Sequence, residues 1–263
     1  MLLLKIGGGE SINLAGIARD LAHVEDSVCI VHGANALRDD LARRLGVEKQ
    51  VLTSVSGYTS VYTDEGLMDV MLMAYSGLRN KRLVELLQRE GMNAVGFTGL
   101  DGALVRGKRN KGIRVRQGGK TLIRRDLSGK PVAVNRQLLR LLLDNGFMPV
   151  VTVPIIDENG FAINSENDDV VAELNMVLKA DVVVQLIEAP GILEDRNDPG
   201  SLIRRMTRAE LADRERRVTG RMKRKLLALR RLTEQASTRV VVADGRRESP
   251  LTEALAGSGT VVP

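Results

Sequence analysis

A chain of 263 residues with 43% hydrophobic and 27% charged side chains has an ordinary globular composition, enough for one large α/β domain or two small lobes. A single cysteine, Cys29, excludes a disulfide framework and a cysteine-based zinc site, and two histidines, His23 and His32, leave little room for a metal cluster or a proton relay. A net charge of +6 favours an anionic partner, while the absence of Trp and the presence of only three Tyr and three Phe argue against a stacking platform for nucleic acid.

In chain order, short apolar runs bounded by Gly, Asp or Pro predict buried strands over residues 2–6, 28–32, 94–98, 148–153, 181–187 and 239–243. Periodic stretches between them predict helices over 13–22, 35–45, 64–89, 136–145, 168–178, 208–211 and 220–236. Strands alternating with helices imply βαβ units, hence an open, mostly parallel sheet covered on both faces: a three-layer αβα sandwich. No apolar run approaches the roughly 18 residues of a membrane span. The start, Met1 to Ile6 running into glycines, lacks a signal-peptide pattern, so a cytoplasmic location is expected.

Residues 102–125 break the alternation. They carry nine basic side chains and no acidic one, and Gln117-Gly118-Gly119-Lys120 reads as the turn of a protruding β-hairpin. A solvated surface hairpin and a docking surface for something acidic both fit this pattern. The 64–89 helix is apolar over much of its circumference, with Leu67, Met68, Val70, Met71, Leu72, Met73, Tyr75 and Leu78; that breadth suggests a contact beyond the sheet.

Two strand-to-helix turns are built from small residues: Gly7-Gly8-Gly9 after the first strand and Gly33-Ala34 after the second. Such turns let backbone N–H groups approach an anion, and helix N-termini add positive partial charge. Neither is a Walker or dinucleotide-binding loop. Lys5 lies inside an apolar strand, where an ammonium needs either a partner or an edge position facing water. Lys223 and Lys225 open a later helix, where cations oppose the helix dipole unless an anion is near. Asn164-Ser165-Glu166-Asn167-Asp168-Asp169 reads first as an N-cap with an acidic first turn.

Taken in order, Lys5-Ile6-Gly7-Gly8-Gly9, His32-Gly33, Tyr62-Thr63-Asp64, Asn80-Lys81, Asn164-x-x-x-Asp168, Pro190-Gly191-Ile192-Leu193 and Gly220-x-Met222-x-x-Lys225 resemble the amino-acid kinase family over nearly the whole chain. Gly91 to Gly102 and Gly220 to Lys225 look closest to the LysW-aminoadipate/LysW-glutamate kinases, with N-acetylglutamate kinases as near neighbours. The resemblance implies a carbamate kinase-like fold, with residues 1–169 forming an amino-acid and dimerisation lobe and 170–263 an ATP lobe. It implies transfer of the ATP γ-phosphate to a side-chain carboxylate, with Mg²⁺, on an amino acid carried by a small acidic carrier protein. By motif, Lys5 and Lys225 would stabilise the transferring phosphoryl group and Asp168 would orient both. Gly8, Gly9, Gly33, Glu188, Gly191 and Lys223 would bind ATP; Gly33, Ala34, Val61 and Asn164 would bind the acceptor. Arg114 and Arg116 would dock the carrier, and the 64–89 helix would pair two copies. No nucleic-acid or membrane partner is expected, nor a resident metal site. N-acetylglutamate kinase activity on free substrate, and a kinase-like regulatory protein without activity, remain alternatives.

Four positions depart from the family pattern. Val61 stands where an arginine clamps a substrate carboxylate, and a valine cannot; Arg79 and Arg82 are candidates to reach in instead. Ala34 replaces a second glycine, Glu188 an aspartate, and Ile187 a hydroxyl-bearing residue.

Overall fold

The computed structural model describes the chain apart from residues 56, 58, 118, 119, 196, 219 and 235–237, and apart from the side chains of 117, 220–222, 224 and 234. The chain opens with β1 (Leu2–Ile6), α1 (Leu14–Leu21), β2 (Val28–His32) and α2 (Asn35–Arg44). A short hairpin of β3 (Val51–Thr53) and β4 (Thr59–Val61) leads into α3 (Glu65–Met71). That helix continues through a π-helical stretch (Leu72–Arg79) into α4 (Asn80–Arg89). Then come β5 (Ala94–Gly99), a 3₁₀ turn (Asp101–Ala103), β6 (Val105–Arg109), β7 (Ile113–Gln117), β8 (Lys120–Arg124) and β9 (Gly129–Val134). They are followed by α5 (Arg136–Asp144), β10 (Met148–Ile156), β11 (Ala162–Ile163) and α6 (Asn167–Leu178). The chain closes with β12 (Val182–Ile187), α7 (Arg208–Arg217), α8 (Gly220–Glu234), β13 (Arg239–Asp244), α9 (Pro250–Leu255) and β14 (Thr260–Val262).

The main sheet runs β14-β13-β12-β1-β2-β10-β6-β9, with β5 and β11 also paired to β10. Its centre is parallel and its antiparallel pairs involve β14, β9 and β11. Alternation along β1 sends Leu2, Leu4 and Ile6 into one core, shared with Ile17 and Leu21 of α1, Leu83 and Leu87 of α4 and Leu251 of α9. Leu3 points the other way, into a core shared with Val170 and Leu174 of α6 and Leu226 and Leu229 of α8. Each fully buried leucine side chain contributes about 1.5–3 kcal/mol, which is why β1, buried on both faces, is apolar at every position but Lys5. The period-two pattern puts Lys5 on the Leu3 face. The long helix over 65–89 feeds both cores, with Met71, Ala74 and Tyr75 in one and Leu83 and Leu87 in the other.

The six predicted strands and the mostly parallel three-layer architecture are present, with boundaries shifted by a few residues. One of the two readings of Lys5 falls, and the expectations for the basic stretch and for α7 change. Lys5 is not at an edge: β1 lies between β12 and β2, and Lys5 is 7% exposed. The basic stretch is not one hairpin, because Arg106, Lys108 and Arg109 belong to β6 in the main sheet. Only Arg114, Arg116, Lys120 and Arg124 sit on the β7–β8 strands, whose predicted Gly118-Gly119 turn lies outside the described residues. Nor does that hairpin protrude freely: Val55 N–H donates to Arg114 O at 2.9 Å, Ser54 bridges to Val115, and Val115 is buried. Helix α7 runs six residues past its predicted end. Its polar sequence has no apolar period, and it is held instead by a Thr207/Glu210 capping box and by Arg214 bonds to Leu193 O and Glu194.

Candidate active site

The carboxyl ends of β12, β1 and β2 are laced together: Gly7 N–H donates to Leu186 O at 2.8 Å, and Gly33 N–H to Ile6 O at 2.9 Å. The two glycine turns emerge there and pack on each other, with Ala36 N–H donating to Gly8 O at 3.0 Å. A Cβ on Gly8 would lie 2.6 Å from the backbone nitrogens of Ala34 and Asn35, and one on Gly33 2.9 Å from the nitrogen of Gly8. A Cβ on Gly9 would overlap the Glu188 carboxylate at 1.9 Å. Only glycine leaves room for these turns, and their backbone faces a crevice at the end of a parallel sheet where ligands of such folds bind. From beneath, Arg79 donates through Nη2 to Gly9 O at 2.9 Å.

Lys5 meets Asp168 across this crevice, Nζ to Oδ1 at 2.6 Å. Asp168 is the second residue of α6, whose N-cap, Glu166, makes no side-chain capping bond. The acidic cluster is therefore more than a helix cap, because one of its carboxylates answers a buried ammonium that would otherwise be very costly. Lys5 and Asp168 line a cleft of about 260 Å³ together with Gly8, Gly9, Gly33, Val61, Asn164, Glu188 and Lys225. Lys225 comes from α8, more than two hundred residues downstream of Lys5, and reaches the cleft from an exposed position.

Other predicted residues lie outside this lining. Ala34 is buried as the N-cap of α2, Gly191 packs against Thr260, and Lys223 lies on α8 away from the cleft. Arg114 and Arg116 are on β7. Arg82 is exposed and paired with Glu85, and Arg79 holds the glycine turn, so neither arginine proposed to stand in for Val61 reaches the cleft. Arg38 does.

Residues not singled out from the sequence position those that were. Asn164 Nδ2 donates to the buried Thr63 hydroxyl at 2.9 Å. Thr63 N–H in turn donates to Asp126, which also accepts from the Ser128 hydroxyl at 2.6 Å. Burial outweighs these bonds and raises the Asp126 pKa above its ordinary value. Ser11 donates through both its N–H (2.9 Å) and its hydroxyl (2.6 Å) to Glu188 Oε1, which holds that carboxyl below the usual range, helped by the charges of Arg246 and Lys225. Asn35, at the start of α2 directly after a glycine turn, also lines the cleft; its position at a helix N-terminus was the available signal. Arg38 had none, since a charged residue on a polar helix looks like solvent-facing surface. His32 is fully buried against Asn80, with its Nε2 3.0 Å from Asn80 Nδ2, and burial depresses its pKa to about 3.

A cleft with two convergent lysines, a carboxylate between strands and helix, and glycine turns crowding backbone N–H groups together is suited to a phosphorylated ligand. The profile of the Amino acid kinase family matches residues 1–244, and the chain belongs to that family. It is a phosphotransferase. The chain is 39% identical to LysW-aminoadipate kinase from Thermus thermophilus over 268 residues, covering all of both chains. It is 32% identical to LysW-aminoadipate/LysW-glutamate kinase from Saccharolobus solfataricus, covering 100% of this chain and 99% of that one. Among solved structures it resembles N-acetylglutamate synthase from Neisseria gonorrhoeae with a TM-score of 0.79 at 19% identity, over 99% of this chain and 58% of that one; this likeness speaks for the fold.

Proposed function

We propose that the protein transfers the γ-phosphate of ATP to the side-chain carboxylate of an amino acid, aminoadipate, glutamate or a modified analogue, whose amino group is carried by a small acidic protein. The product is an acyl phosphate. The observation that carries this reading is Lys5, an ammonium in a central strand, ion-paired with Asp168 at 2.6 Å in the cleft that Lys225 also lines.

A carboxylate approaching a triphosphate brings like charges together, at a cost of about 4 kcal/mol per pair of unit charges ~4 Å apart at an effective dielectric of ~20. Catalysis is then chiefly charge neutralisation and positioning. Lys5 and Lys225 neutralise the transferring group, Asp168 fixes the Lys5 ammonium, and the N–H groups around Gly8, Gly9 and Gly33 receive phosphate oxygens. Asn164, held by Thr63, positions the acceptor. The acceptor is already ionised at neutral pH, so no general base is needed, in keeping with a His32 buried against Asn80. Residues 1–169 supply the acceptor side and 170–263 the nucleotide side. Among the described residues no three His, Cys, Asp or Glu side chains cluster as a metal cage. Mg²⁺ entering with the nucleotide would be held chiefly by phosphates and water, as is usual for this ion, and would supply further charge neutralisation.

Carrier attachment is supported by the surface beside the cleft. The β7–β8 cations adjoin exposed Val51, Val55, Leu122 and Ile123, an apolar and basic mixture suited to an acidic protein rather than a small molecule. A second cavity of about 320 Å³, lined by Gly112 and Ile113 at the hairpin base, shares Ser60, Val61, Asn164, Ser165 and Glu166 with the cleft. An extended segment has a path there from docking surface to chemistry. Exposed Met73 and Leu78 on the long helix are the apolar residues we assign to a contact with a second copy. No helix among the described residues is long and apolar enough to cross a membrane, and we place the enzyme in the cytoplasm with its biosynthetic relatives.

The test is an ATP-dependent assay in which hydroxylamine traps the acyl phosphate, run with carrier-linked aminoadipate, carrier-linked glutamate and free N-acetylglutamate. Product is expected with a carrier-linked acceptor, and Lys5→Ala and Lys225→Ala are each expected to lose about a hundredfold or more in kcat. Near-normal turnover in both variants would overturn the assignment; preference for the free substrate would make the enzyme an N-acetylglutamate kinase.

A further inference from the structure

Arg38 lies on the first turns of α2 with its side chain only 8% exposed, yet it borders the cleft. A buried guanidinium at the wall of a binding site needs a reason, since desolvating it costs several kcal/mol unless its donors are used. Its Nε and Nη2 both donate to Asp39 Oδ1, at 2.9 and 2.6 Å. The other oxygen of Asp39 accepts from Lys49 Nζ at 2.7 Å. Burial works against the Asp39 charge, but the hydrogen bonds from Lys49 and Arg38 outweigh it and hold the carboxyl below its usual range. One carboxylate is thus shared by two cations, leaving the trio one positive charge in excess.

Asp39 grips one edge of the guanidinium and fixes its plane. Arg38 Nη1 makes no hydrogen bond to the described residues. Arg38 shares the cleft lining with Val51, Thr59, Ser60 and Val61 of the β3–β4 hairpin and with the buried Tyr75, on which the charges of both Arg38 and Glu166 act. Residues from the carboxy-terminal half complete the lining, among them Asn164, Glu166, Asp168, Glu188 and Lys225. A fixed, partly uncommitted guanidinium in one cleft with aliphatic Val51 and Val61 is suited to a planar anion attached to a short aliphatic chain.

We propose that in this chain Arg38 binds the acceptor's free carboxylate, the contact that Val61 cannot make. This rests on the carboxylate-kinase reading above. It assigns Arg38 a binding and specificity role, with Asp39 and Lys49 as its positioning residues, and it lets Val61 serve as aliphatic wall.

The test compares carrier-linked aminoadipate with the same carrier-linked acceptor in which the free α-carboxylate is a carboxamide, in the wild-type protein, Arg38→Gln and Arg38→Lys. Wild type is expected to use the acid on the order of 30-fold better in kcat/KM than the amide, mostly through KM, as for loss of one partner of a desolvated charge pair. Arg38→Gln is expected to lose the same factor on the acid, to treat acid and amide alike, and to keep its KM for ATP. Arg38→Lys, which keeps the charge and the link to Asp39, is expected to fall between them. Equal use of acid and amide by the wild type, or full retention of the preference in both variants, overturns the proposal. Should neither variant fold, judged by thermal melting, Asp39→Asn, which loosens the guanidinium without removing it, is expected to lower the preference for the acid, and an unchanged preference overturns the proposal. No acyl phosphate from any acceptor overturns the underlying kinase reading, which is a different result from equal use.

Discussion

His32 sits at the end of β2, next to the second glycine turn and out of reach of water. Desolvation, assisted by the charges of Arg79 and Lys81, moves its pKa from an ordinary 6.5 to about 3. The unfolded chain therefore takes up a proton below 6.5 that the folded protein refuses until about 3. Protons favour unfolding throughout that window, so this residue's contribution is intact above 6.5 and is lost progressively as pH falls toward 3. The expected slope is at most about 1.4 kcal/mol per pH unit. Urea denaturation of wild type and His32→Gln across this range checks it: the variant is expected to lack that share of the acid dependence. Parallel curves would show that the imidazole is protonated in the native protein. The same scale contains Lys5, whose pairing with Asp168 turns a buried charge into a tool; removing either partner strands the other.

At the scale of elements, the glycine turns are defined by what crowds them. Gly8→Ala places a methyl 2.6 Å from two backbone nitrogens of the neighbouring turn, and no side-chain rotation relieves that. Gly9→Ala meets the end of the exposed Glu188 side chain, which can swing away at the cost of its bonds to Ser11. Gly8→Ala is therefore expected to lower stability by about 1–3 kcal/mol and to raise the KM for ATP strongly, with Gly9→Ala milder in stability. Thermal melts and ATP titrations of the two variants check the order; a Gly8→Ala protein as stable as Gly9→Ala would show that the turns can separate. The π-helical stretch 72–79 belongs to this scale as well. It joins α3 to α4 within one continuous helix that serves both cores, so apolar residues cover much of its circumference for internal reasons before any partner is considered.

Across the whole molecule, cations are concentrated on β6, β7 and β8 with no acidic residue between 102 and 125. The carrier docking proposed there would be electrostatic in origin, so its affinity is expected to fall steeply with added salt, whose screening length is about 10 Å at 0.1 M. An Arg114→Glu, Arg116→Glu double variant is expected to weaken carrier binding about tenfold or more at low salt while leaving ATP binding unchanged. Calorimetric titration of carrier-linked acceptor over a salt series checks both; binding indifferent to salt and to charge reversal would move the docking site elsewhere.

Much of this architecture was legible in the order of the residues. Runs such as Leu2 to Ile6 and Val182 to Ile187 are apolar on both faces, so they announce central parallel strands without reference to anything distant. Lys5 and the glycines stood out by local context, a charge inside a strand and small residues where helices begin; Lys225 could not be told from Lys223 by its surroundings, and Asn164 and Asp168 read as an ordinary helix cap, so these three came only from the family resemblance. Strands β3, β4, β11 and β14 were missed because two or three residues carry too little period to detect, and β6 and β9 because their Arg, Lys and Pro read as surface or turn. Local pattern also could not say which arginine faces the cleft. Arg38, Arg79 and Arg82 are alike in sequence, yet one borders the cleft, one holds a glycine carbonyl and one faces solvent. Sequence by itself determined the layers and nominated several of the residues that line the cleft, since burial and turn geometry are short-range demands. Only the tertiary structure decided which charges share a space, because Lys5, Arg38, Asp168 and Lys225 meet through the ordering of strands, a property of the whole sheet and of no single segment.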